Sequence, residues 1–195
     1  VNSGGVVKII SGGIADVANA DVGAIISGYV VSSGVTSAVS ATTFSGTINS
    51  SGSLEVAFGG IVNAETVYKG GLLTVDSGGA ISGAVISSGG TLYLTSGAIL
   101  SGTTTSALAG GAVQLGADYE ITNLPTNLVS SITTTCISDL TSSQVSSLSS
   151  EQVSALTINQ IKVLTSEIGA ISSAAITGLT TSQISALTTT QFSNL

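Results

Sequence analysis

Hydrophobic and polar positions repeat every eight residues across residues 133–195. In sequence the units are TTTCISDL, TSSQVSSL, SSEQVSAL, TINQIKVL, the one-residue-short TSEIGAI, SSAAITGL, TTSQISAL and TTTQFSNL. The shared pattern is Ser or Thr, then Gln three residues later, then Ile or Val, and finally Leu. An array of one short unit predicts a repeat structure in which each unit is stabilised by its neighbours.

The polar positions of this pattern predict helix starts. Ser or Thr followed three residues later by Gln has the spacing of a capping box, in which each side chain bonds the backbone N–H of the other residue. The pairs are Thr141 with Gln144, Ser149 with Gln152, Thr157 with Gln160, Thr180 with Gln183, and Thr188 with Gln191. We therefore expect each unit to begin its own helix.

The apolar positions predict that these helices are short. Ile161 and Leu164, or Ile184 and Leu187, lie three residues apart and so share one side of a helical turn. In one continuous helix an eight-residue period would rotate the apolar stripe by about 80° per unit. In a strand, residues three apart would face opposite sides. The pattern predicts an α-solenoid of one- to two-turn helices over residues 133–195, with Ile, Val and Leu inside.

The earlier part of the chain has a different period, set by glycine. The clearest markers are Gly52, Gly60, Gly71, Gly79 and Gly90, at alternating steps of about 8 and 11 residues. Apolar residues alternate between them: Leu54, Val56 and Phe58, then Leu73 and Val75, then Leu92 and Leu94. This alternation predicts short strands, and glycine with its neighbouring serine predicts tight turns of positive φ.

The combined step of about 19 residues matches one coil of a parallel β-solenoid, in which equivalent strands stack about 4.8 Å apart. We predict such a fold, a right-handed parallel β-helix, over residues 1–124. Pro125 is the only proline of the chain and favours an extended or turned backbone before it. The predicted domains are therefore the β-solenoid (1–124), a linker (125–132) and the helical array (133–195).

Composition excludes several classes of function. Only 7% of the residues are charged and the mean hydropathy is +0.61, so the chain is too apolar to be disordered. Its net charge is −7, and its basic residues are Lys8, Lys69 and Lys162. This balance excludes nucleic acid as a partner. The sequence also contains no apolar run of the length that a membrane-spanning helix needs.

The residue types that carry most enzyme chemistry are scarce. The chain contains no His, no Arg and one Cys, Cys136, which excludes Ser-His-Asp triads, Cys-His nucleophiles and His-ligated metals. Cys136 replaces the Gln of its unit, which favours a tolerated substitution over a redox role. We predict no catalytic, cofactor-binding or metal-ligating residues, no cofactor and no enzyme activity.

Carboxylates offer the remaining candidates. Asp118 and Glu120, two residues apart, would share a strand face as glycosidase acids do, although solubilising charges are favoured. Asp16, Asp21 and Asp76 near glycines could bind calcium, but the glycine-rich nonapeptide of calcium-binding β-helices is missing. Solvated turns are favoured at these three positions.

The glycine-punctuated segments VNSGGVVKIISGGIADVAN, VYKGGLLTVDSGGAISGAVISSGGTLYLTSGAILSGTTT and SALAGGAVQL resemble the repeats of AIDA-type autotransporter passenger domains. The resemblance covers residues 1–115. It implies a right-handed β-helix that is secreted, displayed on the bacterial surface, adhesive and self-associating, with sugars on Ser or Thr in some members. The eight-residue array resembles arrays in large secreted proteins of Gram-negative bacteria.

These observations favour an extracellular structural or adhesive repeat protein, such as a surface adhesin or a fibre-forming subunit that acts by self-association and contacts surface glycans. The alternative is a β-helical carbohydrate-active enzyme or carbohydrate-binding module, which requires carboxylates in register on adjacent coils. An ice-binding solenoid is disfavoured because Thr42-Thr43 and Thr103 to Thr105 are isolated runs. Val1 begins within a repeat, so we expect a fragment or processed product with an open strand edge.

Overall fold

The structure is a computed structural model that describes residues 46–101 and 105–195, together with the backbone of five short strands between Val6 and Phe44. The chain divides into two compact units, Val1–Tyr119 and Glu120–Leu195. The predicted open edge at Val1 lies outside the described residues. Each unit is described by itself.

The described strands of the first unit are β1 (Val6–Lys8), β2 (Ile25–Ser27), β3 (Val30–Val31), β4 (Thr36–Val39), β5 (Thr42–Phe44), β6 (Thr47–Ile48), β7 (Ser53–Val56), β8 (Ile61–Asn63), β9 (Thr66–Val67), β10 (Leu72–Val75), β11 (Ala80–Ser82), β12 (Val85–Ile86), β13 (Thr91–Leu94), β14 (Ile99–Leu100), β15 (Ser106–Ala107) and β16 (Ala112–Leu115). They form three parallel sheets. Sheet A has the order β1-β2-β5-β8-β11-β14, sheet B β4-β7-β10-β13-β16, and sheet C β3-β6-β9-β12-β15.

From β2 onward, consecutive described strands belong to different sheets, and each strand pairs with its equivalent one coil away. In sheet B, Leu54 pairs with Leu73, Leu73 with Leu92, and Leu92 with Val113. Three complete coils, β7 to β9, β10 to β12 and β13 to β15, lie within residues 53–107. The predicted parallel β-solenoid is therefore confirmed, while its right-handedness stays a prediction.

The interior of the described coils is a stack of aliphatic side chains. Fully buried residues are Leu54, Val56, Leu73, Val75, Leu92, Leu94 and Val113 from sheet B, Val62 and Ile81 from sheet A, and Ile48, Val67 and Ile86 from sheet C. Phe58 departs from the prediction, because β7 ends at Val56 and the Phe58 side chain is 79% exposed. The strand is too short for a third inward position.

The two glycines of each corner have different roles. The first, such as Gly89 with φ of 75°, adopts the left-handed conformation, which Ser51 and Ala64 also adopt. The second, such as Gly90, lies so close to the preceding coil that an added Cβ would be 2.7 Å from the carbonyl oxygen of Val67. Among the glycines that mark the period, Gly71, Gly79 and Gly90 are of this second kind, so the turn conformation predicted for them belongs to their neighbours.

The second unit is built from short helices: η1 (Ile121–Asn123), α1 (Thr126–Val129), α2 (Thr134–Ser138), α3 (Ser142–Ser146), α4 (Ser150–Ala155), α5 (Ile158–Val163), η2 (Glu167–Ala170), η3 (Ala175–Gly178), α6 (Thr181–Ser185) and α7 (Thr189–Asn194), where η denotes a 3₁₀ helix. The five predicted capping boxes are present at the starts of α3, α4, α5, α6 and α7. The predicted restart is thereby confirmed for these five helices.

Residues 125–132, predicted as a linker, contain α1, whose Leu128 and Val129 are buried. The second unit begins at Glu120, a few residues before the predicted solenoid end at 124. The signal in the sequence is NLPTNLV, in which Pro125 directly precedes the first helical residue, Thr126. Proline is compatible with a helix start as well as with a break.

The two glycine roles predict unequal costs of substitution. Gly90→Ala should destabilise the solenoid by about 2 kcal/mol, because the new methyl group must displace the backbone of the preceding coil. Gly89→Ala should cost about 1 kcal/mol, since its Cβ meets only the flexible Lys69 side chain, with Cγ at 2.8 Å, and the left-handed conformation is modestly unfavourable. Urea unfolding of both variants measures the difference. Equal costs, or a larger cost at Gly89, would contradict the assignment.

Candidate interaction surface

The glutamines of the helical unit bond in two directions. The Gln160 side-chain oxygen accepts from the backbone N–H of Thr157 at 2.7 Å, which completes the capping box. The same side chain donates its amide N–H groups to the carbonyl oxygens of Val129 and Ile132, both at 2.8 Å. Gln160 is buried. Through these hydrogen bonds its side chain joins the start of α5 to the end of α1 and the residues that follow it.

This bridge recurs with constant spacing. Gln152 of α4 donates to Ile121 and Leu124 around η1, Gln183 of α6 to Val153 and Leu156 around α4, and Gln191 of α7 to Ile161 and Leu164 around α5. Every bridge spans 27 to 31 residues and reaches the helix four elements earlier. One acceptor of each pair, such as Ile132, lies after its helix, and the other, such as Val129, also accepts from the backbone N–H of the residue three positions later.

Helix bodies contact each other at a shorter interval. The packed pairs are α1 with α4, α2 with α5, α3 with η2, α4 with η3, α5 with α6, and η2 with α7. In each pair the second helix is the third element after the first. Body contacts and Gln bridges therefore tie each of α4, α5, α6 and α7 to two different earlier helices.

Units without Gln start differently. The one-residue-short unit TSEIGAI has no residue at the Gln position, because Ile168 and Ile171 hold its two apolar positions, and SSAAITGL has Ala175 there; both units form 3₁₀ helices without a capping box. Cys136 of α2 also replaces Gln, and there the Thr133 hydroxyl still accepts from the Cys136 N–H at 3.3 Å. The Cys136 thiol is free and half-buried.

Burial of the apolar positions falls along the array. Ile161 and Leu164 of the fourth unit are fully buried, as predicted. The prediction was wrong for Ile184, which is 45% exposed, and Leu187 is only half-buried. Phe192 in the last unit is 67% exposed. The physical reason is the stacking interval, because no third-following helix covers these positions in residues 120–195.

On the solenoid, sheet A presents an apolar column to solvent. Ile61 pairs in register with Ala80, and Ala80 pairs with Ile99. Ile61 is 42% exposed and Ile99 is 48% exposed, with the small, half-buried Ala80 between them. We call these three residues the sheet A column. Their regular spacing along the sequence is a signal from which this column could be predicted.

Sheet B carries two neighbouring carboxyl groups on its outer face. Glu55 lies in β7 and Asp76 follows β10 directly. A side-chain hydrogen bond with Asp76 raises the pKa of Glu55, and partial burial and the negative charge of Asp76 raise it further. Glu55 therefore holds its proton to a higher pH than an isolated carboxyl does. Glu55 was not among the sequence candidates, since its partner lies on the next coil.

The structure separates the predicted glycosidase candidates. Asp118 lies in an exposed turn after β16, and the exposed Glu120 precedes η1, where its carboxylate accepts from the Asn123 amide at 3.2 Å. The shared strand face predicted for them was wrong, because β16 ends at Leu115. Of the three calcium candidates, Asp16 and Asp21 lie outside the described residues. Asp76 is beside Glu55.

Among the described residues, no group of three or more His, Cys, Asp or Glu side chains could hold a metal ion. No helix in the same part of the chain is long and apolar enough to cross a membrane. Thr105 is buried inside the coil, while Thr103 lies outside the described residues.

Two further groups have shifted pKa values. Burial raises the pKa of Tyr119 to about 12. The pKa of the exposed Glu151 carboxyl is lowered, because its own backbone N–H and the hydroxyls of Ser149 and Ser150 hydrogen-bond to it at the start of α4. The Tyr119 shift results from burial and the Glu151 shift from hydrogen bonds at a helix start, so neither shift indicates a reaction site.

No protein-family model matches the chain, and no curated protein matches it. A solved structure with some similarity is a TibC-catalyzed, hyper-glycosylated fragment comprising residues 55–350 of TibA. It has 21% sequence identity and a TM-score of 0.38, and the match covers 57% of this chain and 43% of that chain. This chain thus spans less than half the length of that neighbour. The β-solenoid expected from the autotransporter resemblance is present. Assignment of this chain to the autotransporter passenger domains is a proposal.

Replacing Gln160 with Glu separates its two roles. Glu at this position completes a capping box but cannot donate to carbonyls when ionised. Gln160→Glu should therefore cost about 3 kcal/mol near pH 7, since two donated bonds are lost and a charge is buried. Acidic pH should reduce the cost, because a protonated carboxyl donates one bond. Urea unfolding at both pH values measures this.

The matched control is Asn159→Asp, which adds the same charge to α5 at the exposed position next to Gln160. No buried donor is lost, and a negative charge near a helix start is favourable, so the cost should stay below about 1 kcal/mol. A Gln160→Glu variant as stable as this control would show that the bridges contribute little.

The raised pKa of Glu55 predicts a pH-dependent stability. The folded solenoid holds this proton more tightly than the unfolded chain, so the stabilisation is present at acidic pH and is lost as the pH rises through the folded-state pKa. Glu55→Gln keeps a hydrogen-bond donor for Asp76 and removes the repulsion. The variant should be more stable than wild type at about pH 7 and should lose less stability between about pH 4 and 7. Asp76→Asn should give the same direction of change. The measurement is the free energy of unfolding as a function of pH. If it changed with pH equally in wild type and both variants, the coupling between Glu55 and Asp76 would be refuted.

Proposed function

We propose that the protein is an extracellular structural or adhesive repeat protein that acts by self-association, displayed at the bacterial cell surface in the manner of an autotransporter passenger. The observation that carries this proposal is the sheet A column. Ile61, Ala80 and Ile99 repeat at one height per coil and project from a sheet that is hydrogen-bonded from coil to coil. Regular exposed apolar side chains of this kind are typical of interaction surfaces.

The residues around the column support contact between copies. Phe58, at the corner before β8, lies across Gly78 of the next coil and exposes most of its ring. With few charged residues in the chain, neighbouring copies meet little electrostatic repulsion. A flat apolar stripe on a rigid sheet loses little conformational entropy on contact, which favours association.

In this proposal the solenoid is right-handed and the second unit is a continuous α-solenoid of eight-residue repeats. Body contacts at every third helix and Gln bridges at every fourth support the second statement. The protein has no cofactor, and surface glycans or other copies of the chain are its partners. Its function would reside in extended faces instead of a reaction centre.

The alternative of a β-helical carbohydrate-active enzyme is favoured by one observation, the Glu55–Asp76 pair. Glycosidase carboxyls stand about 5 to 9 Å apart to admit a glycosidic bond or a water. Hydrogen-bonded carboxyls are closer than this, so the pair supports carbohydrate binding better than hydrolysis. Release of reducing sugars that Glu55→Gln and Asp76→Asn both abolish would favour the enzyme.

Sedimentation tests the self-association. Wild-type protein should show concentration-dependent species larger than the monomer. The double variant Ile61→Ser with Ile99→Ser should associate at least about tenfold more weakly, because two apolar contacts are removed. Leu72→Ser is the matched control, since Leu72 lies at an outward, half-buried position of sheet B. Monomers at every concentration, or equal weakening by Leu72→Ser, would reject the proposal.

A further inference from the structure

Three consecutive helices of the second unit, η3, α6 and α7, leave their apolar positions uncovered. Ile184 is 45% exposed and Phe192 is 67% exposed, while Ile176, Leu179 and Leu187 are half-buried. We call these five residues the terminal face. The equivalent residues of α3, α4 and α5 and the loops that follow them are buried: Val145, Leu148, Val153, Leu156, Ile161 and Leu164.

The stacking interval explains this difference. The apolar side of α3 is covered by η2, that of α4 by η3, and that of α5 by α6. Within residues 120–195, η3, α6 and α7 have no third-following helix. The terminal face therefore presents the same surface that α3, α4 and α5 present to the helices packed on them.

The backbone of this region offers the same acceptors as the earlier helices. Gln191 donates to the carbonyls of Ile161 and Leu164, which are the apolar positions of their unit. Ile176 and Leu179 occupy those positions in η3, and Ile184 and Leu187 occupy them in α6 and the residues that follow it. The pattern of acceptor positions thus continues across the terminal face.

We propose that the terminal face binds a segment of one-turn helices with the same pattern, Ser or Thr followed by Gln, Ile or Val, and Leu. Its apolar side chains would cover Ile184 and Phe192, and its Gln side chains would donate to helix-end carbonyls, as Gln183 and Gln191 do. Helices this short are unstable alone, so the segment folds as it docks. The Gln requirement makes the surface selective for this pattern over other amphipathic helices. This inference does not depend on the sheet A column.

The test extends the full chain after Leu195 with a second copy of residues 141–164, which carries three units with Gln. The matched control is the same extension with Glu in place of its three Gln residues, which keeps the capping boxes and removes the donors. With Gln, amide hydrogen exchange in residues 176–195 and in the extension should slow by about tenfold or more, because these helices become packed. The melting temperature of the helical unit should rise by about 5 °C.

A Phe192→Asp variant checks that the terminal face is the binding surface. Because Phe192 is largely exposed, this change should leave the unextended chain's melting unaltered and should abolish the protection gained by the extension. Equal protection by the Gln and Glu extensions would overturn the proposal, as would an extension that stays protease-sensitive. Dimers of the unextended chain that Phe192→Asp abolishes would assign the face to a second copy and also overturn it. The sheet A variants leave every one of these measurements unaffected.

Discussion

Backbone carbonyls that the next layer must satisfy are the constraint on which both units depend. In the solenoid, the carbonyl oxygen of Val56 accepts from the N–H of Asp76, and that of Val75 accepts from the N–H of Thr95, each at 3.0 Å. In the helical unit the acceptors lie at helix ends, and the donor is a Gln side chain from a helix four elements later. Because a buried carbonyl without a donor is costly, these bonds tie each of these layers to a later one.

This constraint explains why glycine and glutamine recur at fixed positions. A coil can approach the preceding carbonyls at its corners only where there is no side chain, as at Gly90 and Gly111. A helix-end carbonyl can be reached across the array only by a side chain that is long and donates twice, as Gln152 does at Ile121 and Leu124. Both residue types allow one layer to contact the backbone carbonyls of an earlier layer. Glycine does so because it has no side chain, and glutamine because its side chain is long.

Repetition also determines where interaction surfaces can occur. In the solenoid, an outward position recurs once per coil, so a single apolar choice at Ile61 and Ile99 becomes a column instead of an isolated contact. The Glu55–Asp76 pair arises differently, because its members occupy neighbouring positions on adjacent coils and repeat nowhere else in the described sheet. Regular columns suit extended contact, whereas a local pair introduces pH sensitivity into one part of the sheet.

The sequence by itself determined the features that rest on neighbouring residues. Capping boxes such as Thr157 with Gln160 involve residues three apart, and the coil period follows from glycine spacing, so both could be predicted from the chain. Only the tertiary structure decided which atoms lie against each other across a longer separation. The second role of Gln160 depends on carbonyls about 30 residues earlier, and the sequence pattern around Gln160 does not identify those acceptors. The steric role of Gly90, the exposure of Ile184 and the pairing of Glu55 with Asp76 have the same origin, because each depends on the layer that lies next to the residue in space.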